Sequence, residues 1–150
     1  MSFNKEKAML NLEKIDSIMT KDVFTVEFDD TINKVDDIMK EENINQVPVL
    51  ENGKLIGVIT DKTLHEYELR EIYQSDVPQD EIGYNKISDF RDLFAKNVHI
   101  IYPEDSIGKA IEIMTKKHAD FLPVVDWDNN LKGIITTLDI LLYVKTHLMS

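Results

Sequence analysis

Leu122-Pro-Val-Val-Asp-Trp-Asp-Asn-Asn-Leu-Lys-Gly-Ile-Ile-Thr-Thr-Leu-Asp139 is the stretch whose reading decides the fold. Two short apolar runs, Phe121–Val125 and Leu131–Ile135, flank a polar turn, the pattern of a β-hairpin. The second run leads into Thr136-Thr-Leu-Asp139, where an apolar helical pattern begins. Thr136 and Asp139 have the spacing of a helix N-terminal capping pair, so the plainest role of Asp139 is to cap that helix. The same helix start presents N–H groups and a partial positive charge, which suit a phosphate.

The whole unit occurs twice. Phe90, Leu93 and Phe94 correspond to Ile15, Ile18 and Met19, and Val98 to Val23. Ser106 corresponds to Thr31, Met114 to Met39 and Pro123 to Pro48, every pair 75 residues apart. After the hairpin turn the offset becomes 76, as between Gly57 and Gly133 or Thr60 and Thr136, so the second turn is one residue longer. Such a duplication outweighs any local signal.

In chain order, the charged residues 1–14, with Met9, Leu10 and Leu12, predict a short helix. Ile15, Ile18 and Met19 stand at helical spacing, and Val23–Val26 reads as a short strand. Thr31 is a good N-cap for a helix with the apolar stripe Ile32, Val35, Ile38 and Met39, ending near Asn43. Gln46–Leu50 reads as a strand carrying Pro48 near its start, Asn52-Gly53 as a tight hairpin turn, and Leu55–Ile59 as the returning strand. A helix is predicted from Lys62 to about Tyr73. The division that follows is an N-terminal helical segment 1–14, a first unit 15–74, an acidic linker 75–86 broken by Pro78 and Gly83, and a second unit 87–150. Each copy implies a parallel strand–helix–strand pair plus an antiparallel hairpin strand, an α/β unit with a three-stranded mixed sheet and flanking helices.

A chain of 150 residues with 43% hydrophobic and 30% charged residues suits a globular fold with a real core. The formal net charge of −11 argues against a nucleic-acid partner and against an anionic membrane surface. With no cysteine there is no disulfide, thiolate nucleophile or Cys-based zinc site, a composition that fits a reducing cytoplasm. No apolar run approaches the ~18 residues of a membrane span, and the start lacks a signal-peptide core.

These residues resemble a tandem pair of CBS domains. The pattern is carried by Val23, Thr31-Ile32, Val47-Pro48-Val49 and Gly57-Val-Ile-Thr60. It recurs in Val98, Ser106-Ile107, Leu122-Pro123-Val124 and Gly133-Ile-Ile-Thr136-Thr-Leu-Asp139, and spans about residues 15–147. The resemblance implies two units related by pseudo-twofold symmetry with candidate clefts between them. It also implies a regulatory role without catalysis, and dimerisation through helices. Ligands of the family contain adenosine: AMP, ADP or ATP, with cyclic di-AMP and S-adenosylmethionine as further members. Carried over, Asp139 meets the ribose hydroxyls, because a carboxylate accepts from two adjacent O–H donors. Thr136 and Thr137 meet the phosphate. Ile100, Ile101, Phe121, Leu122 and Pro123 wall the adenine. The matching first-copy residues are Thr25, Val26, Asn45, Gln46, Val47, Pro48, Thr60 and Thr63. There Thr63 replaces the aspartate, so that site is expected to be weak or empty. The reading is therefore a ligand-binding homodimer acting in trans on another protein, with a ligand-free dimeric adaptor as the alternative.

Other constellations fit duller roles. Asp126-x-Asp128-x-Asn130 imitates a calcium loop, but Leu131 and Thr137 stand where Gly and Glu are needed, so it reads as a turn. His65, His99, His118 and His147 lack paired ligand spacing. Lys116, Lys117 and His118 precede the second hairpin, where they could lie near a phosphate or simply close a helix. Asp36, Asp37, Glu41 and Glu42 form a solvated helix face, and there is no P-loop, nucleophile elbow or dinucleotide fingerprint to support a hydrolase.

Overall fold

The computed structural model describes residues 3–74, 76–96 and 98–149. The elements run α1 (Phe3–Leu12), β1 (Val26–Glu27), α2 (Ile32–Glu42), β2 (Gln46–Glu51), β3 (Lys54–Thr60), α3 (Asp61–Gln74), α4 (Arg91–Phe94), α5 (Ile107–Lys117), β4 (Phe121–Val125), β5 (Leu131–Thr136) and α6 (Thr137–His147). Short 3₁₀ turns cover Ile15–Ser17, Gln79–Tyr84 and Ile87–Phe90. Among the described residues no helix is long and apolar enough to cross a membrane.

The chain forms two compact units, Phe24–Val98 and Met1–Val23 together with His99–Ser150. In the first, β1 lies parallel to β2, and β2 antiparallel to β3, giving the order β1-β2-β3. Asn52 and Gly53 close its hairpin at φ 53° and 79°, the doubly left-handed turn that an Asn-Gly pair supplies at little steric cost. In the other, β4 and β5 form an antiparallel pair. The third strand is reduced there to a single parallel bridge, Ile101 to Val124, the counterpart of Val26 to Val49.

The two crossover helices follow one design. α2 buries Ile32, Val35 and Met39, and α5 buries Ile107, Ala110 and Met114. Asn43 and His118 end them in the left-handed region, φ 52° and 54°, each N–H returning to a methionine carbonyl. His118 is thus a helix stop. The starts differ. Ser106 accepts the Lys109 N–H, whereas Thr31 occupies the cap position without a side-chain cap bond. Thr31 instead forms an isolated bridge with Lys86, and the Ile32 N–H goes to the Asn85 carbonyl.

The predicted strand Val23–Val26 is shorter and shifted. Only Val26 and Glu27 find parallel partners, Val49 and Leu50, and residues 21–25 are not strand. The predicted linker also carries structure: Gln79–Tyr84 is helical and buries Ile82 in the core with Val26, Val47, Ile59 and Tyr67.

The compact units do not follow the two sequence copies. Ile87, Leu93 and Phe94, from the second copy, pack in the core of β2 and β3, while Ile15, from the first, packs with Ile101, Leu122 and Ile135. Two glycines permit this exchange. A Cβ on Gly57 would stand 2.1 Å from the Phe94 carbonyl oxygen, and one on Gly133 2.7 Å from that of Thr20.

Tyr67 anchors the exchanged segment. It is fully buried, its ring centroid lies 4.9 Å from Phe90 and 5.7 Å from Phe94, and its hydroxyl donates to the Ile82 carbonyl while accepting from Asn85 Nδ2 at 2.8 Å. Tyr67→Phe should leave both partners unsatisfied and lower stability by about 1–3 kcal/mol. Urea denaturation checks this. An unchanged midpoint would show that those groups find other partners.

Candidate functional site

The start of α6 is built from three pieces of chain. Thr136, extended at the end of β5, caps the helix: its hydroxyl accepts the Asp139 N–H at 3.2 Å. Asp139 Oδ2 in turn accepts from the Thr136 N–H at 2.9 Å and the Thr136 hydroxyl at 3.0 Å, completing a capping box. From the far end of the chain, Thr20 Oγ1 donates to Asp139 Oδ1 at 3.2 Å, with Oδ2 at 3.4 Å. The carboxylate is partly exposed and borders a hollow of about 210 Å³ lined by Ile18, Leu142, Tyr143, Thr146 and His147. His147 stacks on Tyr143 at 4.4 Å between centroids, and burial pushes the Tyr143 phenol above its ordinary pKa.

Asp139 therefore caps its helix and still has acceptor capacity at Oδ1, since a carboxylate oxygen takes two hydrogen bonds and the described residues give this one only Thr20 as a close partner. The predicted phosphate donors are less free. The Thr137 N–H and hydroxyl both go to the Asp120 carbonyl, at 3.0 and 3.1 Å. A phosphate reaching Thr136 or Thr137 must displace one of these bonds.

The predicted adenine wall divides by accessibility. Ile100 and Phe121 are half-buried and available to a ligand. Ile101, Leu122 and Pro123 are buried, and Ile101 uses its N–H on Pro123 and its carbonyl on Val125. A second hollow, about 280 Å³ and more apolar, lies between α5 and α6 and takes only Thr137 from the predicted set, beside Ile111, Met114, Thr115 and Ile140.

At the first-copy position, Thr60 and Thr63 pair through their hydroxyls at 2.9 Å, and Thr63 N–H bonds Thr60 Oγ1 at 3.1 Å. The helix is capped, but by neutral groups. Val26, Val47 and Pro48 are buried there, whereas Thr25, Gln46, Thr60 and Thr63 are half-buried and Asn45 is exposed. Asn45 gives its carbonyl to the Asp61 N–H, as Asp120 does for Thr137.

Asp126 serves its turn. Its Oδ1 accepts from the N–H groups of Asp128 and Asn130, and its Oδ2 from Asn130 Nδ2 at 3.0 Å. The Asn130 side chain is the main cause holding this carboxyl below the ordinary carboxylate value. Trp127 beside it is exposed and stacks on Tyr102 at 4.1 Å. Thr20 is the site residue that reading the sequence missed. The signal available was the repeat offset, which pairs Thr20 with Ala95 as it pairs Asp139 with Thr63.

Residues 15–70 and 90–146 each match the family model of the CBS domain. The chain belongs to the CBS domain family. This CBS pair is 31% identical over 131 residues to an inosine-5′-monophosphate dehydrogenase of Methanocaldococcus jannaschii, covering 87% of this chain and 23% of that protein. It spans less than half the length of the first curated relatives it matches. Among solved structures it is similar to CBSX2 in complex with AMP, with a TM-score of 0.73 at 18% identity over 89% of this chain and 97% of that one. It is also similar to a CBS domain pair in complex with 5′-methylthioadenosine and S-adenosyl-L-methionine, with a TM-score of 0.69 at 22% identity over 90% and 98% of the two chains. These likenesses establish the fold.

Proposed function

We propose that this CBS pair is a non-enzymatic regulatory module of the cytoplasm that binds an adenosine-containing ligand at the start of α6. AMP, ADP or ATP is the preferred class, with cyclic di-AMP and S-adenosylmethionine as the other candidates. The observation that carries the reading is the Asp139 carboxylate, fixed at a helix N-terminus with Oδ1 open to a further donor beside a hollow. Structural neighbours bound to AMP or to S-adenosylmethionine support the same class. The module acts in trans as a homodimer. Exposed apolar side chains on α6 (Leu138, Leu141 and Leu142) and on α3 (Leu69, Ile72 and Tyr73) supply surfaces for a second copy and a regulated protein.

Two observations favour the alternative, a ligand-free adaptor. The Thr137 donors are already engaged by Asp120, and the first copy has no carboxylate at position 63. A thermal-shift titration separates the two. A ligand at 100 times its Kd adds about 2.7 kcal/mol to stability. For a chain of this size that is a rise of about 5–10 °C in Tm. Such a rise with one adenosine compound supports the sensor. No shift with any of the five, in protein freed of bound nucleotide, moves the reading to the adaptor.

A further inference from the structure

We propose that Thr20 is a positioning and specificity residue of the Asp139 site: its hydroxyl holds the carboxylate in place and joins it in receiving a ribose diol. The inference rests on the adenosine-binding reading above and adds the residue that discriminates the sugar.

Three observations support it. First, the position of Thr20 does not depend on its side chain. Its N–H and carbonyl are both bonded to Ile134, each at 2.9 Å, and Gly133 leaves room for that approach. The hydroxyl is therefore delivered to α6 by the edge of β5. Second, the carboxylate is gripped from opposite sides, Oδ2 by Thr136 and Oδ1 by Thr20, a residue 119 positions away in the chain. Oδ1 keeps a lone pair, and Thr20 Oγ1, once it has donated, still accepts. The two atoms, 3.2 Å apart, offer side-by-side acceptors to two neighbouring hydroxyls, each of which donates one proton.

The third observation is a contrast between the two copies. The exchanged segment approaches Gly57 through the Phe94 carbonyl and Ala95 Cα, and Gly133 through the Thr20 carbonyl and the Met19 side chain. Thr20 pairs with Ile134, whereas the Ala95 N–H turns back to the Arg91 carbonyl. Asp139 with Thr20 becomes Thr63 with Ala95. Acid, hydroxyl and strand pairing thus stand together in one unit, and the other has none of the three.

The test is isothermal calorimetry on wild type, Thr20→Val and Thr20→Ser, with AMP and ATP and the 2′,3′-dideoxy form of each. Valine keeps the shape and the backbone bonds and removes only the hydroxyl. Thr20→Val should weaken the ribonucleotide about five- to tenfold. It should leave the dideoxy compound unchanged, so the preference for ribose falls by the same factor. Thr20→Ser should keep wild-type values. Unchanged affinity and preference in folded Thr20→Val overturns the inference while leaving adenosine binding intact. If wild type binds none of the four, AMP and ATP are excluded as ligands, and with them the sugar role proposed for these nucleotides. Positioning is then decided without ligand, by three-bond NMR couplings for χ1 of Asp139. One rotamer in wild type and Thr20→Ser with averaging in Thr20→Val supports it, and one rotamer in all three overturns it.

Discussion

Gly57→Ala should destabilise the protein by about 3 kcal/mol, the upper end of what overpacking costs. The new Cβ would lie 2.1 Å from the Phe94 carbonyl oxygen and 3.2 Å from the Ala95 Cα. Both are backbone atoms of a segment whose side chains Leu93 and Phe94 are buried, so neither retreats without dragging core residues along. The gain from removing a strand glycine, about 0.5–1 kcal/mol, is too small to offset this. Gly108→Ala is the control. Its Cβ would meet the Asn11 side-chain oxygen at 2.4 Å, but Asn11 is exposed and its amide is free to swing away, and the nearest backbone atom, the Leu10 carbonyl oxygen, stands at 3.3 Å, where a shift of a few tenths of an ångström suffices. Replacing a helix glycine then recovers propensity of about 1 kcal/mol. The urea midpoint should fall sharply for Gly57→Ala and hold or rise for Gly108→Ala. If Gly57→Ala is as stable as wild type, residues 90–95 do not rest on β3.

Asp139→Ala should lose binding and stability together, in unequal amounts. Charged hydrogen bonds to ribose hydroxyls contribute roughly 1.5–3 kcal/mol, a loss of about ten- to a hundredfold in affinity. Breaking the capping box costs about 1 kcal/mol of fold stability. Asp139→Asn separates the two, because its amide oxygen still accepts the Thr136 N–H while the charge is gone. The aspartate's two roles predict that Asn restores most of the stability and little of the affinity. Calorimetry beside urea denaturation reads both. Wild-type affinity in a folded Asp139→Ala protein would remove the ribose assignment.

What the sequence made legible was local or periodic. Asn52-Gly53 specified its hairpin, the apolar stripes gave α2 and α5, and the 75-residue offset gave the duplication and hence the fold. What stayed hidden depends on a distant partner. The length of β1 is set by where β2 offers Val49 and Leu50, and no pattern in residues 23–27 encodes that register. Thr31 and Ser106 occupy equivalent cap positions, yet only Ser106 caps with its side chain. Asp139 was legible as a cap because that role lies in one short motif. Thr20 was not, since 119 positions separate it from the acid it touches. The engagement of Thr137 by Asp120 likewise depends on how the chain enters β4, which spacing alone does not show.

The exchanged opening segments also set an order of events during synthesis. Phe24–Val98 is one uninterrupted stretch, so all of its contacts can close as soon as it has emerged. The other unit must wait. Thr20 bonds Ile134, which is made 114 residues later (134 − 20). At typical elongation rates that is a delay of roughly 6–23 s. During that interval Ile15 has no core to enter, and the loop to be closed is among the longest the chain contains. Residues 15–20 are thus made well before the strand on which they dock, and β5 gains its outer partner only when that segment returns to it.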